Sequence, residues 1–462
     1  MKKLISVLVS LLMGLMLFCA CAPDAEQSSS SEESRYPTAI PSYDRYVNER
    51  ELKMFAFWSP PITEQQYSWV AECGFNNIII DAKYDALAGT DALMNALRYC
   101  EKYGIKGYPT INRGANVGAY LTKSDYSSVS SFGGFYTDEP LLKSDIDIIK
   151  ENTSLLKSKY SSADYLTTLI TNKPNNDEFE SYEQYIDYYM ETTGKNEKMF
   201  LFDIYALLGN EFNSTIRSKW LSATEVQAQA SKKYNVPMVP YISSMSIRSQ
   251  SVRHPNEEDI RYQSYVNLAY GAKGIAYFCY MSPGLPPYNG EFVPADYALI
   301  KGDDNNLNDY SKYERTETWY EAQRVNKELL SFDHVLLSFD WKGVLASRGT
   351  DAQTTAGDCF DEAKQMLLKH DRISSINSTE DAIIGCFSNE KGYDGFLAVN
   401  FSDPAKKRNN EMSIDFAYAK KLVVYSKNND TGLMEKSIVK LENGNYKTTI
   451  GYGDAEFIIP IA

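Results

Sequence analysis

The sequence predicts a closed parallel (β/α)8 barrel, a TIM barrel, followed by a C-terminal all-β sandwich. Eight apolar runs of strand length recur between about residues 53 and 280. Helical patterns separate most of them, as a barrel of strand–helix units requires. After about residue 340 the chain turns to short alternating segments punctuated by Gly, Asn and Asp, the signature of a sandwich. The competing fold, an open doubly wound sheet, lacks support for nucleotide binding, because no G-x-G-x-x-G or P-loop follows the first strand.

The eight runs are 53–58, 77–81, 107–111, 134–138, 167–171, 199–203, 238–242 and 274–280. They are continuously apolar rather than alternating, which suits strands covered on both faces. Pro109 and Pro240 weaken two of them, since proline donates no ladder hydrogen bond. Between them, Thr63-Glu64-Gln65-Gln66 has capping-box spacing and opens a helix toward Gly74. Helices are also predicted from Asp91 to Gly104, Lys143 to Tyr160 and Ser222 to Tyr234. Asn256 caps another, with Glu257, Glu258 and Asp259 at the positive end of its dipole and Tyr262, Tyr265, Val266 and Ala269 on one face. A last helix covers about 316–331, and the segment between strands three and four is the least helical. The sandwich segments are Lys342–Ala346, Ile383–Ser388, Gly395–Phe401, Lys421–Tyr425, Ile438–Leu441, Tyr446–Ile450 and Glu456–Ile461.

Composition narrows the function classes. With 43% hydrophobic and 23% charged residues, the 462-residue chain can bury a large core and is not disordered. Its net charge of −14 argues against nucleic acid as a partner, since phosphate binding needs clustered Lys and Arg. The 35 tyrosines offer apolar faces with hydroxyls, which suits sugar rings and core packing alike. Outside the N-terminal segment the cysteines are Cys73, Cys100, Cys279, Cys359 and Cys386, with no CxxC, and only three histidines accompany them. Small buried hydrophobes, rather than a zinc site, are expected, and no metal or cofactor is called for.

Met1-Lys2-Lys3 followed by the apolar stretch Ile5 to Phe18 reads as a secretory signal, too short to span a bilayer. Leu17-Phe18-Cys19-Ala20-Cys21 resembles a bacterial lipoprotein signal, which implies lipidation of Cys21, as with palmitate, and a membrane anchor in the bacterial cell envelope that faces outside the cytoplasm. The expected division is a signal peptide over 1–21, a Ser-rich flexible tether over 22–50, the barrel over 51–338 and the sandwich over 339–462.

Barrel chemistry sits at the C-terminal ends of the strands. Those ends read Ser59, Asp81, Asn112 with Arg113, Asp138 with Glu139, Asn172, Asp203, Ser243 with Ser244, and Tyr280. Carboxylates among amides, hydroxyls and an aromatic fit a polyhydroxylated ligand. Gly133-Gly134-Phe135-Tyr136-Thr137-Asp138-Glu139-Pro140 resembles the end of strand four in clan A glycoside hydrolases, and Arg261–Phe278 resembles the helix-seven/strand-eight segment of family 42-type β-galactosidase relatives. The resemblance implies a carbohydrate substrate and Glu139 as acid/base. Glycosidic hydrolysis needs a second carboxyl group, and the clan's strand-seven Glu is missing, since Tyr241-Ile242-Ser243-Ser244 ends that strand. Asp203 is the preferred second carboxylate and Asp81 the next. Trp58, Asn112, Arg113, Asp138, Asn172, Tyr241 and Tyr280 are expected to bind substrate, with Asp138 alternatively holding the rim. The missing carboxylate also leaves open a non-catalytic carbohydrate-binding lipoprotein on a degenerate barrel.

Overall fold

The computed structural model describes residues 35–43, 51–80, 91–209, 215–216, 219–281, 297–302, 310–351, 360 and 363–462. The expected signal peptide with Cys21, the candidate Asp81 and the cysteine Cys359 lie outside these residues.

Eight parallel strands form the barrel: β1 (Lys53–Ala56), β2 (Asn77–Ile80), β3 (Lys106–Pro109), β4 (Gly134–Asp138), β5 (Asp164–Leu169), β6 (Phe200–Phe202), β7 (Met238–Ser243) and β8 (Gly274–Phe278). Their order is β3-β2-β1-β8-β7-β6-β5-β4. Parallel bridges Gly107↔Phe132 and Thr110↔Tyr136 join β3 to β4 and close the ring. Gly134 allows the closest approach within it: a Cβ there would lie 1.7 Å from the Asp164 carbonyl oxygen. Pro109 is tolerated because it ends β3, whereas Pro240 sits mid-strand opposite Phe202, where the ladder loses one donor.

The intervening helices are α1 (Glu64–Glu72), α2 (Asp91–Lys102), α3 (Gly118–Lys123), α4 (Lys143–Lys159), α5 (Tyr182–Thr192), α6 (Trp220–Tyr234), α7 (Glu257–Ala269) and α8 (Glu317–Leu336). Thr63 caps α1 through Gln66 N, and Asn256 caps α7 in a reciprocal box with Asp259. Two core layers result. Phe55, Ile79, Tyr108, Tyr136, Leu166, Leu201, Val239 and Ala276 fill the barrel interior. A larger cluster joins the outer strand faces to the helices and runs on into the sandwich.

The C-terminal strands are β9 (Asp340–Ser347), β10 (Ile373–Ser378), β11 (Ala382–Ser388), β12 (Asp394–Asn400), β13 (Asn410–Phe416), β14 (Lys421–Lys427), β15 (Met434–Lys440), β16 (Asn445–Ile450) and β17 (Ala455–Ile461). They form a six-stranded sheet, β9-β11-β12-β17-β14-β15, over a three-stranded one, β10-β13-β16. Alternation in β12 splits its side chains: Phe396 and Ala398 enter the sandwich core, while Leu397 and Val399 join the core shared with the barrel. The sandwich sits on α7. Trp341 Nε1 donates to Ala269 O at 2.9 Å, and a Cβ on Gly385 would meet that carbonyl oxygen at 2.4 Å. Helix α7 is therefore buried all round from Asp259 to Ala269, not only on its predicted face. Several of its polar side chains pair inside the protein: Arg261 pairs Glu328 at 2.8 Å and Gln263 accepts from Ser243 N at 3.0 Å.

The expected tether over 22–50 is not free throughout, because residues 35–43 form a strap along the sandwich. The Tyr36 ring lies 4.0 Å from the Arg372 guanidinium carbon. Ala462 N donates to Pro37 O at 3.0 Å, Tyr393 to Ala39 O at 2.9 Å, and Lys436 Nζ to Pro41 O at 3.2 Å. Among the described residues no helix is long and apolar enough to cross a membrane. Cys73, Cys100, Cys279 and Cys386 are free and buried, as small hydrophobes would be.

Candidate active site

Strand β4 delivers two adjacent carboxyl groups with different surroundings. Tyr136 and Asp138 share the inner face of the strand because side chains alternate. The Tyr136 hydroxyl donates to Asp138 Oδ1 at 2.8 Å and lies 2.7 Å from Thr168 Oγ1. Burial raises the Asp138 pKa to about 6, the Tyr136 hydrogen bond and Arg113 oppose the rise, and the charge of Glu139 adds to it. Asp138 is thus a side chain of the barrel mouth, and not only a brace for its rim.

Glu139 leaves the extended conformation, with φ +43°, while its amide donates to Thr168 O at 3.0 Å. Trp58, at the end of β1, also has positive φ, +59°. Such backbone is costly for large side chains and concentrates at functional sites. The kink turns Glu139 toward Arg113, whose Nη2 stands 3.5 Å from Glu139 Oε2 and whose Nε donates to Asp138 O at 3.0 Å. Both side chains of that ion pair are 37% exposed. The turn is held from behind: the Tyr185 hydroxyl donates to Pro140 O at 2.9 Å, and the amides of Leu141 and Leu142 donate to Asp145 Oδ2 at 3.0 Å each.

Asp203 follows β6 and is half-buried on the same rim. Shared tyrosine neighbours tie it to the β4 pair. Burial, then the charges of Glu139 and Asp203, hold the Tyr185 hydroxyl above the ordinary tyrosine range. Burial raises Tyr205 and Tyr241 as well, with Asp203 and Asp138 both contributing to each. The floor between these groups is aromatic. Phe57 stacks on Trp58 with centroids 5.1 Å apart, Trp58 meets Phe278 at 5.3 Å, and Phe278 meets Tyr205 at 5.2 Å. Trp58 and Phe278 stay partly exposed.

The remaining predicted residues divide. Asn112 and Asn172 are exposed just past β3 and β5, with Asn112 next to Arg113. Tyr241 is buried beneath the mouth, beside Tyr136 and Thr168, so it underpins Asp138 and is not a surface for ligand. Tyr280 is out of reach: it is fully buried behind the barrel wall, packs on Phe75 and accepts from Trp319 Nε1 at 3.3 Å. Ala276 and Phe278 face the barrel interior, but the alternation stops with β8: Cys279 also joins the interior cluster and Tyr280 the outer one, so Phe278 takes the mouth position expected of Tyr280. Ser243 and Ser244 are buried and donate to Met245 O (2.9 Å) and Cys279 O (2.8 Å), which places β7 where the sequence put it and leaves its end without a carboxylate. His254, in the loop before α7, has Nε2 2.9 Å from Thr318 Oγ1. Sequence reading missed Tyr185, Tyr205 and Phe278, and the only signal for Phe278 was its two-residue spacing from Ala276.

A groove of about 830 Å3 opens beside the rim, lined by Ser246, Arg248, His254, Lys301 and Thr318 among others, and none of Asp138, Glu139 and Asp203 lines it. The carboxyl cluster rather than this volume marks the site, because bond cleavage needs groups that move protons. Among the described residues, no three His, Cys, Asp or Glu side chains converge as a metal site.

No protein-family model matches the chain, and no curated protein matches it. Solved structures similar to it include a GH51 α-L-arabinofuranosidase from Thermotoga petrophila RKU-1, at 9% identity and TM-score 0.46 over 92% of this chain and 98% of that one. A GH30 endoxylanase from Clostridium papyrosolvens C71 gives 8% and 0.44 over 92% and 98%. A β-galactosidase from Marinomonas ef1 gives 10% and 0.45 over 67% and 65%. At these values the likeness assigns no residue a role and gives this chain no activity. The barrel and sandwich rest on the strand pairing itself.

Proposed function

We propose that the barrel mouth hydrolyses a glycosidic bond in an oligosaccharide or polysaccharide. The observation that carries this reading is that Asp138, Glu139 and Asp203 share tyrosine neighbours on one rim, where the rings of Trp58 and Phe278 stay partly exposed. One carboxyl group must protonate the leaving oxygen while another attacks the anomeric carbon or activates water. The sequence motif favours Glu139 as the acid. Its surroundings favour another division: Glu139 is ion-paired with Arg113, whereas Asp138 keeps its proton up to about pH 6. Asp138, held protonated chiefly by burial, is then the proton donor, Asp203 the carboxylate that attacks or activates water, and Glu139 a neighbour whose charge adds to the rise. Trp58 and Phe278 offer flat faces to the sugar.

Aryl glycosides separate these roles. Asp138→Asn should abolish cleavage of substrates with poor leaving groups and spare those that leave without a proton, such as dinitrophenyl glycosides. Asp203→Asn should abolish both. If Glu139→Gln alone shows the leaving-group dependence, Glu139 is the acid. If no glycoside is cleaved, the hydrolase reading fails.

A second reading has its own support. The end of β7 spends both serines on backbone carbonyls and offers no carboxylate. A barrel that binds sugar without cleaving it would retain glycan on an array with no turnover.

We also propose that the protein is lipid-anchored through Cys21 outside the cytoplasm of a bacterial cell, a reading supported by the N-terminal motif. Palmitate labelling in cells that is lost on Cys21→Ala tests it.

A further inference from the structure

We propose that the open edge of the six-stranded sheet docks on an anionic lipid surface, so that the sandwich rather than the barrel mouth faces the membrane. This rests on the reading of Cys21 as a lipid anchor.

Among the described residues strand β15 is the sheet edge, and its register with β14 pairs Lys421 with Lys440, Val423 with Ile438 and Tyr425 with Lys436. Alternation puts Lys436, Ile438, Lys440 and Lys421 on one face. All four are exposed, Ile438 at 51%, and β15 places no acidic side chain on that face. Glu435 points the other way, to Asn428 and Thr431. Two lysines directly opposite each other repel and destabilise a sheet pair. An anionic surface would reverse that sign. The strap ends beside this patch: Lys436 Nζ donates to Pro41 O at 3.2 Å, and the neighbouring Ile40 is 42% exposed. Exposed isoleucines among lysines, in a protein of net charge −14, match a surface of anionic headgroups over acyl chains.

Chain length makes the geometry workable. Residues 22–34 separate Cys21 from the strap, and that stretch spans at most about 45 Å even when fully extended. The anchor therefore holds the patch close to the bilayer at a high effective concentration.

The test is co-sedimentation of the unlipidated mature chain, residues 22–462, with vesicles of phosphatidylcholine alone or mixed with phosphatidylglycerol. Binding is expected only to the mixed vesicles and should vanish near 1 M salt, where screening acts within about 3 Å. Replacing Lys421, Lys436 and Lys440 by Gln should weaken it roughly a hundredfold, at about fivefold per lysine. The pair Lys421→Gln/Lys440→Gln leaves the strap hydrogen bond in place and should cost about 25-fold, with thermal melting unchanged. Wild-type protein that ignores phosphatidylglycerol, or variants that bind as wild type, would overturn the proposal. So would variants that self-associate while wild type binds no vesicle, since the lysines would then only guard an open strand edge. Palmitate labelling at Cys21 is read separately, so failure of the anchor and failure of the docking face are distinguishable.

Discussion

Asp138→Asn isolates the cost of holding a negative charge at the barrel mouth. Asparagine keeps an oxygen for the Tyr136 hydroxyl but has no charge to desolvate. The carboxyl group titrates at about 6 in the folded protein instead of 3.8. At about 1.4 kcal/mol per tenfold, that difference corresponds to about 3 kcal/mol, an upper estimate because the side chain is not fully buried. The sign follows from the direction of the shift. A raised pKa means the folded state binds the proton more tightly than the unfolded chain. The stabilisation is complete below about pH 3.8 and is lost as pH rises through about 6, above which the folded protein carries an unfavourable buried charge. The asparagine variant should match wild type near pH 4 and exceed it by up to about 3 kcal/mol at pH 7 and above. Urea unfolding from pH 4 to 8 reads this directly, as a midpoint difference multiplied by the slope. A gap that stays constant across that range would refute the claim that Asp138 titrates in a desolvated site. The same variant should lose turnover of substrates with poor leaving groups, so stability and activity move in opposite directions, as expected where a site is built at the expense of the fold.

Three further perturbations test the surrounding structure. Arg113→Gln removes a half-exposed ion pair worth less than about 1 kcal/mol, so melting should hardly move; because Arg113 lowers the Asp138 pKa, the alkaline limb of the pH–rate profile should shift upward. Trp58→Ala should reduce affinity for a sugar ligand about tenfold with little change in folding, measured by calorimetry. Arg253→Met leaves Asp259 and Asp403 buried without their shared guanidinium and should cost about 3–5 kcal/mol in denaturant unfolding.

The barrel was legible because its strands are short, continuously apolar and regularly spaced, and β2 with all four residues buried is the clearest case. In the three-stranded sheet only β16 was legible, expected as Tyr446–Ile450 and found as Asn445–Ile450. β10 and the solvent face of β13 are rich in Ser, Asn and acidic residues, so Ile373-Ser374-Ser375-Ile376 reads as a loop until its partner strands are known. Helix α5 escaped because half of its buried stripe, Tyr185 and Tyr189, is tyrosine, which marks a core as readily as a surface. β5 begins at Asp164, three residues before the predicted run, since its first residues are an acid and a tyrosine covered only by the fold. At the site, the Asp-Glu-Pro triplet and Asp203 could be located from strand ends alone. Their environments could not: the burial that sets Asp138 apart from Glu139, and the turn that hands Glu139 to Arg113, arise from contacts with β3, β5 and α5.

The bond between the Ala462 amide and the Pro37 carbonyl pins the strap beside the end of β17 at one corner of the sandwich. An expression version trimmed to start at the barrel would strip the strap that covers the Arg372 guanidinium, and an affinity tag fused after Ala462 would crowd the seam that residue shares with Pro37. Recombinant protein meant for kinetics is best begun before Arg35 and tagged at its leading end, so that any loss of activity reports on the barrel mouth and not on a frayed corner of the sandwich.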